Sequence, residues 1–186
     1  MYPSDIYIPI RIMLEKYIMA FGNKNDITQI TDNIYIGNLS TSINYDILEK
    51  NGISHVISAI QYFSPSYPDK INYLHINSYD LEDYNISHHF QETNTFIKNA
   101  VQNDGKIFIH CLRGVSRSVS IAIAYLMTLD KFYNHEFNVE DNYKNILNYI
   151  QQKRPIALPN SQFETQIINF YKLMKDKKEK KNISKL

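Results

Sequence analysis

The chain has 186 residues, 44% of them hydrophobic, and a formal net charge of +1, which fits one domain with a sizeable core. This charge gives no bulk drive toward nucleic acid or a membrane surface, and no run reaches the roughly eighteen apolar residues of a membrane span. A single cysteine excludes an internal disulfide and a thiolate zinc cluster and points to a reducing, cytoplasmic setting; Asp5, Arg11, Glu15 and Lys16 leave no signal-peptide core near the start.

In chain order, residues 9–21 read as a helix, with Pro9 at its start and Leu14, Tyr17, Ile18 and Phe21 on one face. This extension, residues 1–26, is expected to pack on the domain, dock a substrate or pair with a second copy as a homodimer. Strands are expected near 34–37, 54–60, 71–76 and 106–110. Ser40 is the expected N-cap of a helix reaching Lys50. Pro65 and Pro68 mark residues 61–70 as a surface loop, and residues 131–138 read as another. A helix over 87–102 carries Phe90, Ile97 and Val101 on one face. Two further stripes recur at helical spacing: Val139, Tyr143, Ile146, Leu147 and Ile150, then Phe163, Ile167, Phe170, Tyr171 and Met174. Residues 175–186 contain six lysines and read as a basic, flexible tail. Strands alternating with helices predict a single α/β domain.

The densest chemical signal is His110-Cys111-Leu112-Arg113-Gly114-Val115-Ser116-Arg117-Ser118. An apolar strand precedes it and an apolar helix, from Val119, follows. Strand, tight loop and helix N-terminus make an anion site whose inward N–H groups cradle an oxyanion. A cysteine at the start of that loop lies below a bound phosphate. The helix N-terminus and a nearby cation lower its pKa. Arg117 offers a planar fork for two phosphate oxygens, Ser118 a hydroxyl for the sulfur, and Gly114 freedom from a Cβ.

This run resembles the His-Cys-x-x-Gly-x-x-Arg-Ser signature of the cysteine-dependent protein phosphatases, in particular the dual-specificity branch. The resemblance extends to Asp32–Asn38, Gly52–Ile57 and Ala124–Met127, to Arg154-Pro155 and Pro159-Asn160, and to Phe163 and Gln166. Among members, the small poxviral enzymes look similar through the first strand and Gln166-Ile167-Ile168, which would suit a virion-associated protein. The resemblance spans residues 27–174 and implies a catalytic domain there with a central mixed sheet of about five strands flanked by helices, a strand–P-loop–helix site and phosphoprotein substrates, with no metal and no organic cofactor. It implies Cys111 as nucleophile and backbone N–H groups of Leu112, Arg113, Gly114, Val115, Ser116 and Arg117, with the Arg117 guanidinium, as the phosphate cradle. Ser118 would help the sulfur leave, His110 would position the cysteine and help keep it ionised, and Asn160 would brace the loop.

The family's general acid sits six residues before the apolar residue that opens a helix. Counting back from Ile86 gives Asp80, with Asp83 and then Glu82 behind it. Tryptophan is absent, so the Trp-Pro-Asp loop of the classical tyrosine phosphatases is too. A shallower pocket would admit phosphoserine and phosphothreonine beside phosphotyrosine. Phosphoinositides, RNA 5′ phosphates and phosphoprotein binding without cleavage are the competing functions. Leu112 and Val115 stand where lipid-directed loops carry lysines. Arg113 and Arg154 are cations that could draw a second phosphate toward the site.

Overall fold

The computed structural model describes residues 23–183, with side chains described through residue 175. The helix expected at 9–21 lies outside the described residues. Five strands form one sheet in the order β1-β2-β5-β3-β4: β1 (Ile27–Gln29), β2 (Ile34–Gly37), β3 (His55–Ala59), β4 (Asn72–Ile76) and β5 (Ile107–His110). All pairings are parallel except β1 with β2. The short β1 was not expected; with three residues it is too brief to show a period.

Alternation splits the strands between two cores. Ile34, Ile36, Ile57, Ile107 and Ile109 face one side, and Tyr35, Val56 and Phe108 the other. A sheet buried on both faces explains the near-continuous apolar runs of β2, β3 and β5. On the first side lie α3 (Phe90–Gln102), α4 (Arg117–Leu126), α5 (Val139–Lys153) and α6 (Ser161–Ile183). All ten residues of α4 are buried: its polar first turn, Arg117, Ser118 and Ser120, faces the site, and the apolar remainder packs in the core. The helix α6 runs beyond the stripe ending at Met174, so most of residues 175–186 has a helical backbone.

On the second side, the single helix expected from Ser40 to Lys50 is two, α1 (Leu39–Ser42) and α2 (Tyr45–Lys50). Ser40 is buried inside α1 rather than capping it. The cap is Asn38, whose Oδ1 accepts from Thr41 N–H at 2.9 Å, and the chain breaks helix again before Asn44. Among the described residues no helix is long and apolar enough to cross a membrane.

Parallel strands leave β5 with its C-terminal end between β2 and β3. Cys111 follows β5 directly, at the carboxyl edge where open α/β sheets place ligands.

Candidate active site

The loop from Cys111 to Arg117 is held with its carbonyls outward. Leu112 O accepts from Leu39 N–H at 3.3 Å and Val115 O from Leu158 N–H at 2.8 Å. Between them, Arg113 O and Gly114 O accept from the Arg154 guanidinium at 3.2 and 2.7 Å. No peptide bond among the described residues is cis, so each N–H points opposite its own carbonyl. The N–H groups of Arg113, Gly114, Val115 and Ser116 therefore turn toward the centre of the loop. Gly114 N–H donates to Cys111 Sγ at 3.2 Å.

Gly114 has φ +67, and a Cβ there would meet Gly37 O and Arg154 Nη2, both at 2.5 Å. Left-handed backbone and close packing both require glycine at this position.

Cys111 is 1% exposed. Its sulfur lies 3.4 Å from the Ser118 hydroxyl. Burial pushes the thiol's pKa up, but the Arg117 guanidinium, the Ser118 hydroxyl and the N–H groups of Ser118 and Val115 outweigh it, and the net shift is downward. Ser116 occupies the N-cap of α4 without capping it. The first N–H groups of the helix thus stay available to an anion.

Arg117 is anchored from the neighbouring strand ends. Its Nη1 donates to Ser78 O at 3.0 Å and to Gln61 Oε1 at 3.5 Å. Its buried Nε has no hydrogen-bond partner and stands 3.7 Å from the Asp80 carboxylate. Tyr62, next to Gln61, has φ 55, and its hydroxyl meets that of Tyr79 at 3.3 Å, joining this loop to the one that carries Asp80.

Asp80 is the carboxylate at the site. Its Oδ1 accepts from the Ser116 hydroxyl at 2.8 Å and from Asn160 Nδ2 at 3.1 Å. Asp80, Glu82 and Asp83 are all exposed, and the bonds to Ser116 and Asn160 single out Asp80. Asn160 serves two elements at once: its Oδ1 caps α6 by accepting from Phe163 N–H at 2.9 Å, which turns its NH₂ toward Asp80. Its backbone N–H donates to the Ser116 hydroxyl at 3.3 Å. Farther along α6, Gln166 accepts from Ser87 N–H at 3.1 Å and donates to Tyr84 O at 3.0 Å, fixing the far end of the loop that carries Asp80.

Two expectations need correction. His110 is fully buried against Ser58, with Nε2 2.8 Å from the Ser58 hydroxyl, and burial drives its pKa down to about 3. It is uncharged at neutral pH and gives the cysteine no positive charge. Arg154 is 3% exposed and forms a bidentate pair with Asp26 at 2.7 and 2.8 Å, so it does not draw a second phosphate. Arg113, by contrast, is exposed. The contacts through Asp26, Ser58, Gln61 and Ser78 were not foreseen, because each joins residues dozens of positions apart with no local spacing to announce them.

The chain is 34% identical over 146 residues to dual specificity protein phosphatase 22-A of Danio rerio, an alignment covering 78% of this chain and 65% of the relative. Its fold is similar to the crystal structure of DUSP15, at 31% identity and a TM-score of 0.66 over 79% of this chain and 88% of that one. It is also similar to the human tyrosine phosphatase-like serine/threonine/tyrosine-interacting protein, at 25% identity and a TM-score of 0.72 over 81% and 98%. Curated relatives at 32–34% identity are longer, and the chain spans 16–65% of their length. The family model described as dual specificity phosphatase, catalytic domain, matches residues 34–173. The chain, with its cysteine loop set between strand and buried helix, belongs to the dual specificity phosphatase catalytic domain family.

Proposed function

We propose that the protein hydrolyses phosphotyrosine and phosphoserine or phosphothreonine in protein substrates through a phosphocysteine intermediate. The observation that carries this reading is the convergence on Cys111 of Gly114 N–H at 3.2 Å and the Ser118 hydroxyl at 3.4 Å, with Arg117 lowering the thiol's pKa.

In the first step the Cys111 thiolate attacks phosphorus in line with the leaving oxygen. The S–P bond forms as the P–O bond breaks, and protonated Asp80 gives its proton to the departing alkoxide or phenoxide. In the second, Asp80 takes a proton from water, the water oxygen bonds to phosphorus, and the S–P bond breaks to release phosphate. The Ser118 hydroxyl stabilises the departing thiolate. The P-loop N–H groups and Arg117 carry the equatorial charge in both transition states. Ser116 and Asn160 hold the Asp80 carboxylate over the loop. Metal and organic cofactor have no role in this sequence. A reducing, cytoplasmic setting suits a lone nucleophilic thiol.

The test is turnover of a phosphotyrosine and a phosphothreonine peptide by wild type and Cys111→Ser. Activity on both, lost in the variant, is expected; activity confined to phosphoinositides or RNA 5′ phosphates would contradict the substrate class.

A further inference from the structure

Of the four outward carbonyls of the P-loop, two are held by one side chain. Arg154 Nε donates to Gly114 O at 2.7 Å and Nη2 to Arg113 O at 3.2 Å. The N–H groups of those same peptide units belong to Val115 and Gly114. Both act on the Cys111 sulfur, Gly114 at 3.2 Å. One guanidinium thus grips from outside two of the peptide units that face the sulfur from inside. The guanidinium is itself fixed, by the bidentate Asp26 carboxylate at 2.7 and 2.8 Å and by Thr28 Oγ1 at 3.1 Å. The loop rests directly on it, since a Cβ at Gly114 would lie 2.5 Å from Nη2.

We propose that Arg154, locked by Asp26, is a positioning residue for the reaction: it sets the 113–114 and 114–115 peptide planes so that their N–H groups converge on Cys111 and on a phosphate bound above it. The inference rests on Cys111 being the nucleophile. Asp26 balances the charge of Arg154, so the effect is one of geometry rather than of net charge. A lysine brings the charge without the fork that spans two carbonyls and a carboxylate. The pairing also gives β1 a role in the site, since Asp26 directly precedes that strand.

Two charge-conserving variants separate geometry from charge. Arg154→Lys removes the fork, and Asp26→Glu displaces the guanidinium by one methylene. The titratable and charged groups facing Cys111 remain in both: Arg117 from α4, His110 from β5, and Asp80 behind Arg117. The readout is the rate of alkylation of Cys111 by iodoacetamide across pH, in the full chain without substrate. The expected result is a midpoint raised by about one pH unit, meaning about tenfold less thiolate below it, with weaker binding of inorganic phosphate.

A folded Arg154→Lys, with unchanged circular dichroism and wild-type alkylation at every pH, would overturn the proposal. If that variant does not fold, Asp26→Glu decides by the same criterion. In the wild type, the Gly114 and Val115 amide resonances must follow the Cys111 titration; amides that stay still overturn the proposal whatever the variants do. Alkylation needs no turnover, so a wild type inert on phosphopeptides would contradict the phosphatase reading and leave this readout intact.

Discussion

The Ser116 hydroxyl donates to Asp80 at 2.8 Å, joining the cysteine loop to the loop that carries Asp80 through a residue that stands at a helix N-cap and does not cap it. On the proposed mechanism this bond holds the acid where a leaving group departs. Ser116→Ala is expected to slow turnover of a phosphothreonine peptide about tenfold, a modest share of the 10²–10⁴ typical of acid catalysis. It should slow p-nitrophenyl phosphate much less. Equal losses on both substrates would point to a role other than placing the acid.

Asp80→Asn keeps the shape of the side chain and removes its proton chemistry. Its kcat on the phosphothreonine peptide should fall by about 10²-fold or more, with a far smaller loss on an aryl phosphate whose leaving group needs no proton. Asp83→Asn, at an exposed position, should leave both rates near wild type. The reverse pattern would move the acid to Asp83.

The lowered thiol pKa of Cys111 sets the acid side of the pH profile. As pH falls through that value, thiolate is protonated and kcat/KM should fall with it. The midpoint should lie below that of the free cysteine side chain. Alkylation of the free protein should trace the same midpoint, and a midpoint at or above that of a free cysteine peptide measured alongside would contradict the arrangement.

His110 gives a second, independent pH effect. In the unfolded chain it binds a proton near pH 6.5, whereas in the fold it stays neutral down to about 3. Between these values the unfolded state binds more protons, so the contribution is full above about 6.5 and is lost as pH falls toward 3. Thermal melts over this range should show decreasing stability, and His110→Gln should flatten the dependence. A slope that survives the substitution would assign it to other groups.

Gly114→Ala combines a φ of +67 with a Cβ 2.5 Å from both Gly37 O and Arg154 Nη2. Denaturant melts should show a loss of about 2 kcal/mol or more, together with slower Cys111 alkylation near neutral pH. A variant as stable as wild type would mean that the loop has room the packing does not show.

Much of this was legible in the sequence wherever the signal is local. The loop from Cys111 to Ser118 carries its own spacing, and four strands and three long helices declare themselves by period or by apolar runs. The family's six-residue count back from Ile86 lands on Asp80, the carboxylate that the fold sets against Ser116, Asn160 and Arg117. The misses are nonlocal or competitive. Arg154 reads as a free cation beside Pro155, and only the fold brings Asp26, 128 positions away, against it. Ser40 has the residue type of a cap, but Asn38 takes the cap and buries Ser40 in the turn that follows. By resemblance His110 is expected to help keep the thiol ionised; full burial against Ser58 leaves its ring uncharged, so any such help is not a positive charge. Burial and long-range pairing decide all three, and neither leaves a spacing in the chain.

The most direct test of the central claim is turnover of matched phosphotyrosine and phosphothreonine peptides, with EDTA present, by wild type and Cys111→Ser. The account predicts release of phosphate from both peptides by the wild type, and none by a variant that remains folded and still binds phosphate. Phosphate release by Cys111→Ser at wild-type rates would contradict the assignment of Cys111 as nucleophile, and a wild type inactive on both peptides would contradict the protein phosphatase reading.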